Sequence, residues 1–301
     1  MEFKIASMTP LSDSSIRLPD GRRLAYTEWG KPDGLPVFYF HGTPHSRLWC
    51  PDEAATRSAG VRLIAPDRPG IGSSDLKEAR SYGDWPTDVA NLADALGIER
   101  FAVVGWSSGG PYAGSCAALL SHRLTGVGIV NSRHLGQYNF VERPAALEEL
   151  PSDERAEFDL AQRDPSAAAE LFAANNPDLI SNQRDHPQGL YDFLMTAEGD
   201  RWLFEDEARM VPFDAARREC FRQGMDAVRW EMIDAWLPWG FRLADISMPV
   251  HVWHGRQDPL VKQTYIDFIA STIRNCKVVV WPDVGHVGIA KYWTEILQTL
   301  T

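Results

Sequence analysis

The sequence has few cysteines and no long apolar run, and both absences restrict the class of protein. Four cysteines are spread over 301 residues without a close pair, which argues against a zinc site or a disulfide framework. No stretch approaches the roughly 20 apolar residues of a membrane span, and residues 1–15 lack the apolar core of a signal peptide. We therefore expect a cytoplasmic protein that binds no membrane.

Positive charge is also scarce, and the shortage lies in the middle of the chain. The net charge of −11 makes nucleic acids and anionic membranes poor partners. Residues 134–245 contain 23 Asp and Glu, 11 Arg and no Lys, a balance of −12 against +1 for the remainder. These acids either surround the mouth of a site or lie on a solvated outer face. In the second case we expect pairs at helical spacing with arginines, namely Arg155, Arg163, Arg217 and Arg218.

Apolar runs and turn residues predict strands that alternate with helices on both sides of this acidic segment. Strands are expected near residues 14–17, 23–29, 37–40, 61–65, 101–106, 127–130, 250–253 and 277–281. This alternation is typical of an α/β fold with a mostly parallel sheet flanked by helices.

The acidic segment itself predicts helices and no strand. We expect helices to begin near Asp164 and near Asp214. Residues 1–133 and 246–301 would then form the body, and residues 134–245 would form a helical cap inserted after the strand near 127–130.

The strand near 101–106 ends in a pattern typical of a nucleophile elbow. Gly105 and Gly109 lie two residues to either side of Ser107. A sharp turn from strand to helix strains the backbone at the serine, and only glycine fits at the flanking positions. The same test fails for Ser108, which has Trp106 where a glycine is needed. Ser107 is therefore the predicted nucleophile.

A serine hydroxyl needs a base and an acid that orients the base. Asp258 follows the strand at 250–253, and His286 follows the strand at 277–281, so both belong to loops at the carboxyl edge of the sheet. Asp283 is a rival acid, but only three residues from His286 it is expected to bond the local backbone. The predicted catalytic residues are Ser107, Asp258 and His286.

Attack on an acyl carbon also needs two donors for the oxyanion. The amide of Ser108, at the start of a helix, would supply one of them. Residues 41–44, His-Gly-Thr-Pro, follow the strand at 37–40, and the amide of Thr43 would supply the other, with its orientation restricted by Pro44. The alternative is that this loop is only a tight turn.

Four further residues are candidates for the substrate pocket: His41, Trp106, Trp236 and Trp239. His41 is equally suited to a structural hydrogen bond at its strand end. The two tryptophans of the cap are equally suited to packing between cap and body. Nothing in the sequence calls for a cofactor or a metal, and it leaves the oligomeric state open.

At these residues the chain resembles the α/β-hydrolase superfamily, and specifically its cap-bearing branch. The resemblance covers about residues 14–133 and 246–300 and is carried by the segments 41–44, 67–74, 105–109, 255–258 and 285–286. It implies a cofactor-independent serine hydrolase in which Ser107 is acylated and His286 then activates water. A small-molecule carboxylic ester is the substrate class we expect first.

Several other activities use the same scaffold. Haloalkane dehalogenases and epoxide hydrolases carry an aspartate at the elbow, so Ser107 argues against both. Members similar to prolyl iminopeptidase usually have a His-Gly-Gly-Pro-Gly loop, in which Thr43 and His45 replace two glycines here. This departure disfavours an aminopeptidase without removing it, and it stays the first alternative to an esterase. Carbon–carbon bond hydrolases, lactonases and perhydrolases share the triad and stay open. A non-catalytic receptor is disfavoured by the complete triad.

Overall fold

The computed structural model describes residues 10–176 and 184–301, and within them eight strands form one sheet. The strands are β1 (Ser12–Arg17), β2 (Arg23–Gly30), β3 (Leu35–Phe40), β4 (Val61–Pro66), β5 (Phe101–Trp106), β6 (Leu124–Val130), β7 (Val250–Gly255) and β8 (Cys276–Trp281). Their order across the sheet is β1-β2-β4-β3-β5-β6-β7-β8. β1 and β2 form an antiparallel hairpin, and β2 also pairs with β4 in an antiparallel manner. Every other pair of neighbouring strands is parallel.

Helices connect the strands and also occur in residues 134–245, the segment predicted to be a cap and called the cap below. In the body they are α1 (Glu53–Ser58), α2 (Trp85–Ala95) and α3 (Gly110–Leu119). The cap contributes α4 (His134–Gln137), α5 (Ser152–Ala161), α6 (Pro165–Asn175), α7 (Gln188–Leu194), α8 (Arg201–Phe204), α9 (Glu207–Cys220) and α10 (Asp226–Ile233). The body resumes with α11 (Gln263–Thr272), α12 (Gly288–Lys291) and α13 (Trp293–Leu300).

Both faces of the central strands are covered, as the continuous apolar runs predict. On β3, Phe38 and Phe40 are fully buried on the face that packs against α2 and α3. Val37 and Tyr39 alternate with them and pack on the opposite face, where Trp293 of α13 lies 5.9 Å from the Tyr39 ring between centroids. The predicted α/β-hydrolase fold with a parallel sheet between helices is confirmed.

The chain leaves the sheet after β6 and enters a segment in which the described regular elements are helices joined by turns. The predicted start near Asp164 is confirmed, because its carboxylate caps α6 by accepting the amide of Ala167. The predicted start near Asp214 is wrong. Asp214 lies inside α9, whose cap is Asp206, and its carboxylate is occupied by Tyr191 and arginines.

The cap is joined to the body by buried polar contacts as well as by its two connections. Arg47 of the body, 5 % exposed in its side chain, pairs with Asp67 of the body at 2.7 Å and with Glu219 of α9 at 2.8 Å. Within the cap segment, at its return to the body, Glu142 accepts the amides of Leu243 and Ala244, both at 2.8 Å. The division at residues 133 and 245 stays a prediction. No helix in the two described ranges is long and apolar enough to cross a membrane.

Candidate active site

Ser107 lies at the sharp turn between β5 and α3. Its φ is +56°, a left-handed value that a residue with a side chain rarely adopts. The glycines beside it are required by space, because a Cβ on Gly105 would lie 2.2 Å from the carbonyl oxygen of Gly109. A Cβ on Gly109 would lie 2.1 Å from the carbonyl oxygen of Phe40. This turn places the half-buried Ser107 at the carboxyl edge of the sheet.

The structure brings Ser107, His286 and Asp258 together from the ends of three strands. Nε2 of His286 lies 2.9 Å from Oγ of Ser107, and Nδ1 of His286 lies 2.8 Å from Oδ2 of Asp258. The Asp258 side chain is inaccessible to solvent, and its other oxygen accepts the amides of Leu260 and Val261. The two amides fix the orientation of the Asp258 carboxylate, so that Oδ2 faces Nδ1 of the imidazole.

Asp283, the rival acid, makes different contacts. Its half-exposed carboxylate accepts hydrogen bonds from Lys291 at 2.7 Å and from Tyr292 at 2.5 Å. These bonds hold the pKa of Asp283 below its usual value. A hydrogen bond with its own backbone, as expected from the sequence, also lowers this pKa, and the two side-chain partners add to it. Nδ1 of His286 bonds Asp258 and not Asp283.

Two residues of the body hold the loop that carries His286. Asn131, directly after β6, donates its amide to the carbonyl oxygens of Gly285 and His286, both at 2.9 Å. Its side-chain oxygen accepts the amide of Gly255 at 2.8 Å. The indole of Trp106 donates to the same His286 carbonyl at 2.9 Å and its ring lies beside the imidazole. Trp106, a predicted pocket candidate, therefore lies beside His286, and its part in the pocket stays a prediction.

The sequence reasoning missed Asn131. A polar residue immediately after an apolar strand, at the edge where parallel strands place their ligands, is the signal that would have found it.

The two predicted oxyanion residues are neighbours beside Ser107. Oγ1 of Thr43 lies 2.7 Å from Oγ of Ser108, and Arg68 donates to Oγ1 of Thr43 at 2.9 Å. The Thr43 hydroxyl in turn donates to Glu231 of α10. The Thr43 amide makes no hydrogen bond with any residue in the described ranges, so it is available as a donor.

A buried charge cluster stands behind this loop. Arg68 pairs with Glu231, while Arg80 pairs with Asp234 at 2.9 Å and with Glu231 at 3.3 Å. Tyr112 donates to Asp234 at 2.7 Å. Burial by itself raises the pKa of Glu231, but the two guanidinium groups outweigh it, so the pKa lies below its usual value. Glu231 is ionised, and no local sequence pattern marks it.

The three other pocket candidates are buried. His41 is fully buried, its Nδ1 lies 2.8 Å from the carbonyl oxygen of Gly42, and burial holds its pKa well below the usual value. Trp236 packs on Phe172, and Trp239 stacks on Phe241. Both tryptophans line a cavity of about 130 Å³. Within the described ranges no ring contact joins either one to His286, and their part in the pocket stays a prediction.

Comparison with known proteins assigns the chain to a family. The model of the alpha/beta hydrolase fold family matches residues 36–290, most of the chain, and the chain belongs to that family. A non-heme chloroperoxidase of Streptomyces lividans is 38% identical over 98 residues, 32% of this chain and 36% of that protein. A proline iminopeptidase of Xanthomonas citri is 31% identical over 117 residues, 37% of this chain and 36% of that protein.

These sequence matches span only about a third of each relative. Among solved structures, a thermophilic esterase from Thermogutta terrifontis superimposes with a TM-score of 0.58 over 96% of both chains at 23% identity. That likeness shows the fold alone.

Proposed function

We propose that the protein is a serine hydrolase that cleaves a carboxylic ester of a small molecule. The observation that carries the proposal is the position of the His286 imidazole, within hydrogen-bond distance of both Ser107 and the buried Asp258. His286 takes the proton of Ser107 as the serine oxygen attacks the acyl carbon. The imidazolium then protonates the departing alcohol, and an acyl group remains on Ser107.

Water completes the cycle. His286 removes a proton from a water molecule, the hydroxide attacks the acyl carbon, and the proton passes to Ser107 as the carboxylic acid leaves. Asp258 stabilises the imidazolium in both halves of the reaction. The amides of Thr43 and Ser108 would bind the oxyanion, and removing one such donor typically costs about 10²–10³ in turnover.

An aminopeptidase that binds a cationic substrate amine is the alternative. A substrate ammonium needs an unpaired carboxylate in the site. In the described part of the cap, five buried acids each bond at least one group of the protein itself: Glu157, Asp200, Glu219, Glu231 and Asp234. Two buried carboxylate oxygens, Oδ1 of Asp234 and Oε2 of Glu154, have no hydrogen-bond partner among the described residues. The turnover of esters against aminoacyl arylamides separates the two activities.

The test is a labelling and turnover experiment on Ser107→Ala. The wild type is expected to react with a fluorophosphonate probe at Ser107 and to hydrolyse p-nitrophenyl esters faster than aminoacyl arylamides. Ser107→Ala should lose labelling and several orders of magnitude in turnover. Ser108→Ala is the matched control, because it keeps its backbone amide and should still be labelled. A Ser107→Ala variant with near wild-type ester turnover would refute the proposal.

A further inference from the structure

A carboxylate of the cap reaches the loop that carries His286. Asp200, at the end of the short 3₁₀ turn Glu198–Asp200, is fully buried. Its Oδ1 accepts the amide of Gly285 at 2.7 Å, and its Oδ2 accepts the amide of Val287 at 3.1 Å. These two amides flank His286 on either side, so one carboxylate spans the residue proposed as the base.

The approach of this turn to the body is close. A Cβ on Gly199 would lie 1.9 Å from the carbonyl oxygen of Asp283, and a Cβ on Gly285 would lie 2.6 Å from Oδ2 of Asp200. The amide of Gly199 also donates to the side chain of Gln257 at 2.9 Å. Gln257 precedes Asp258, so the cap turn contacts both loops that carry the imidazole and its acid.

The polar groups around His286 are divided between body and cap. The body, through Asn131 and Trp106, binds the carbonyl oxygens of Gly285 and His286. The cap, through Asp200, binds the amides of Gly285 and Val287. Buried amides without a partner cost about 1–3 kcal/mol each, so loss of the Asp200 carboxylate would destabilise this conformation of the loop.

We propose that Asp200 is a positioning residue for the reaction, which holds His286 between Ser107 and Asp258 and completes the triad only when the cap is seated. The proposal rests on the proposed function. Asp200 acts through the backbone on either side of His286 and need not touch the substrate. Loss of Asp200 therefore lowers the chemical rate and leaves substrate binding largely unchanged.

The experiment compares Asp200→Ala and Asp200→Asn with Glu142→Ala in the full-length protein. Glu142 is a matched control, because it also accepts two backbone amides within the cap, at its return to the body. With p-nitrophenyl esters, Asp200→Ala is expected to lower kcat by about 10- to 100-fold, the effect of a misplacement near 1 Å, with KM within about 3-fold. Asp200→Asn, whose amide oxygen accepts one of the two amides, should recover part of the loss. Glu142→Ala should keep its kcat.

A second readout needs no substrate. The Nδ1 proton of His286, held against Asp258, is followed as a downfield ¹H NMR resonance of the resting protein. We expect the resonance in wild type and in Glu142→Ala, and its loss or broadening in Asp200→Ala. If wild type neither hydrolyses esters nor reacts with the fluorophosphonate, the proposed function fails, and this resonance still tests the positioning role.

If Asp200→Ala does not fold, Gly199→Ala replaces it, since its methyl group displaces the turn while the carboxylate is kept. The same loss of kcat and of the resonance is then expected. Wild-type kcat together with an unchanged resonance, in whichever of these two variants folds, would overturn the proposal.

Discussion

Arg68, just after β4, and Glu231, on α10 of the cap, form an ion pair with side chains 0 % and 2 % exposed. A second contact of the pair, between Nη2 of Arg68 and Oε2 of Glu231, measures 2.9 Å. Both residues also bond the hydroxyl of Thr43. The cap therefore contacts the body at the loop of Thr43 as well as at the loop of His286, and these two loops lie on either side of Ser107.

Glu231→Gln should destabilise the protein, because it leaves Arg68 buried without its charge partner. Breaking a buried pair costs about 3–5 kcal/mol. The measurement is the free energy of unfolding in urea, with kcat on an ester recorded in parallel and expected to fall as Thr43 loses its partner. Asp226→Asn serves as the control, since its exposed pair with Arg229 on the same helix is worth at most about 1 kcal/mol. Equal effects of the two substitutions would contradict the importance of the buried pair.

Asp258→Asn and Asp283→Asn should differ sharply in ester turnover. The first removes the charge that holds and stabilises the imidazole, and such a change typically lowers kcat on the order of 10⁴-fold. The second alters a half-exposed carboxylate that bonds Lys291 and Tyr292 and should leave kcat within about 2-fold, as exposed pairs contribute little. The reverse ranking would show that Asp283 is the acid.

Trp236→Ala and Trp239→Ala should lower stability rather than change acyl-chain preference. Trp236 is 4% exposed and packs on Phe172, while the indole of Trp239 donates to the carbonyl oxygen of Ala235. Removing a buried tryptophan side chain costs about 3–5 kcal/mol. The measurements are the unfolding free energy and the kcat/KM values for a series of p-nitrophenyl esters. A changed chain-length profile with unchanged stability would instead place these rings in the acyl pocket.

His45 should make the protein sensitive to acid. Burial among Trp49, Trp106 and Phe213 lowers its pKa to about 3. In the unfolded chain the residue takes a proton below about pH 6.5, and the folded protein does not until about pH 3. The contribution of neutral His45 to the free energy of unfolding is therefore complete above about pH 6.5. It decreases by about 1 kcal/mol per pH unit as the pH drops toward 3.

The test is urea denaturation of His45→Phe between pH 7 and pH 4.5. The variant should show a flatter decline in unfolding free energy than wild type, while a substitution of the exposed His186, to Gln, should follow wild type. Parallel curves for His45→Phe and wild type would remove His45 as the source of the acid sensitivity.

Salt should affect matched anionic and neutral esters equally. The acids of the cap were expected either to surround the site or to pair with arginines on an outer face. Arg155 pairs with Asp159 at 3.2 Å, and Arg217 and Arg218 both pair with Asp214. Arg163 instead bonds the carbonyl oxygen of Asp159.

Paired charges at the surface exert little steering at 0.15 M salt, where the Debye length is about 8 Å. The measurement is kcat/KM for the two esters against ionic strength. A selective rise in kcat/KM of the anionic ester at high salt would show that the negative field of the cap acids reaches the substrate.

The strands and the elbow were predictable because their signals are local. The buried strand β5 is a run of apolar residues, and Ser107 between two glycines reflects steric limits within five residues of chain. The cap of α6 at Asp164 is local in the same sense. The prediction of a helix start at Asp214 is wrong because Asp206 caps this helix, and arginines one turn further along the same helix bond the Asp214 carboxylate.

The sequence by itself determined the position of Ser107 at a strand-to-helix turn and which loops would meet it, since parallel strands bring their carboxyl ends to one edge whatever the details of packing. Only the tertiary structure decided which acid bonds His286, because the choice between Asp258 and Asp283 depends on ångström distances. The tertiary structure alone also showed that Asp200 bonds the loop of His286 and that Glu231 bonds Thr43. Their partners lie 85 or more residues away in the chain, and in a segment with 23 acids a buried carboxylate carries no local mark that separates it from an exposed one.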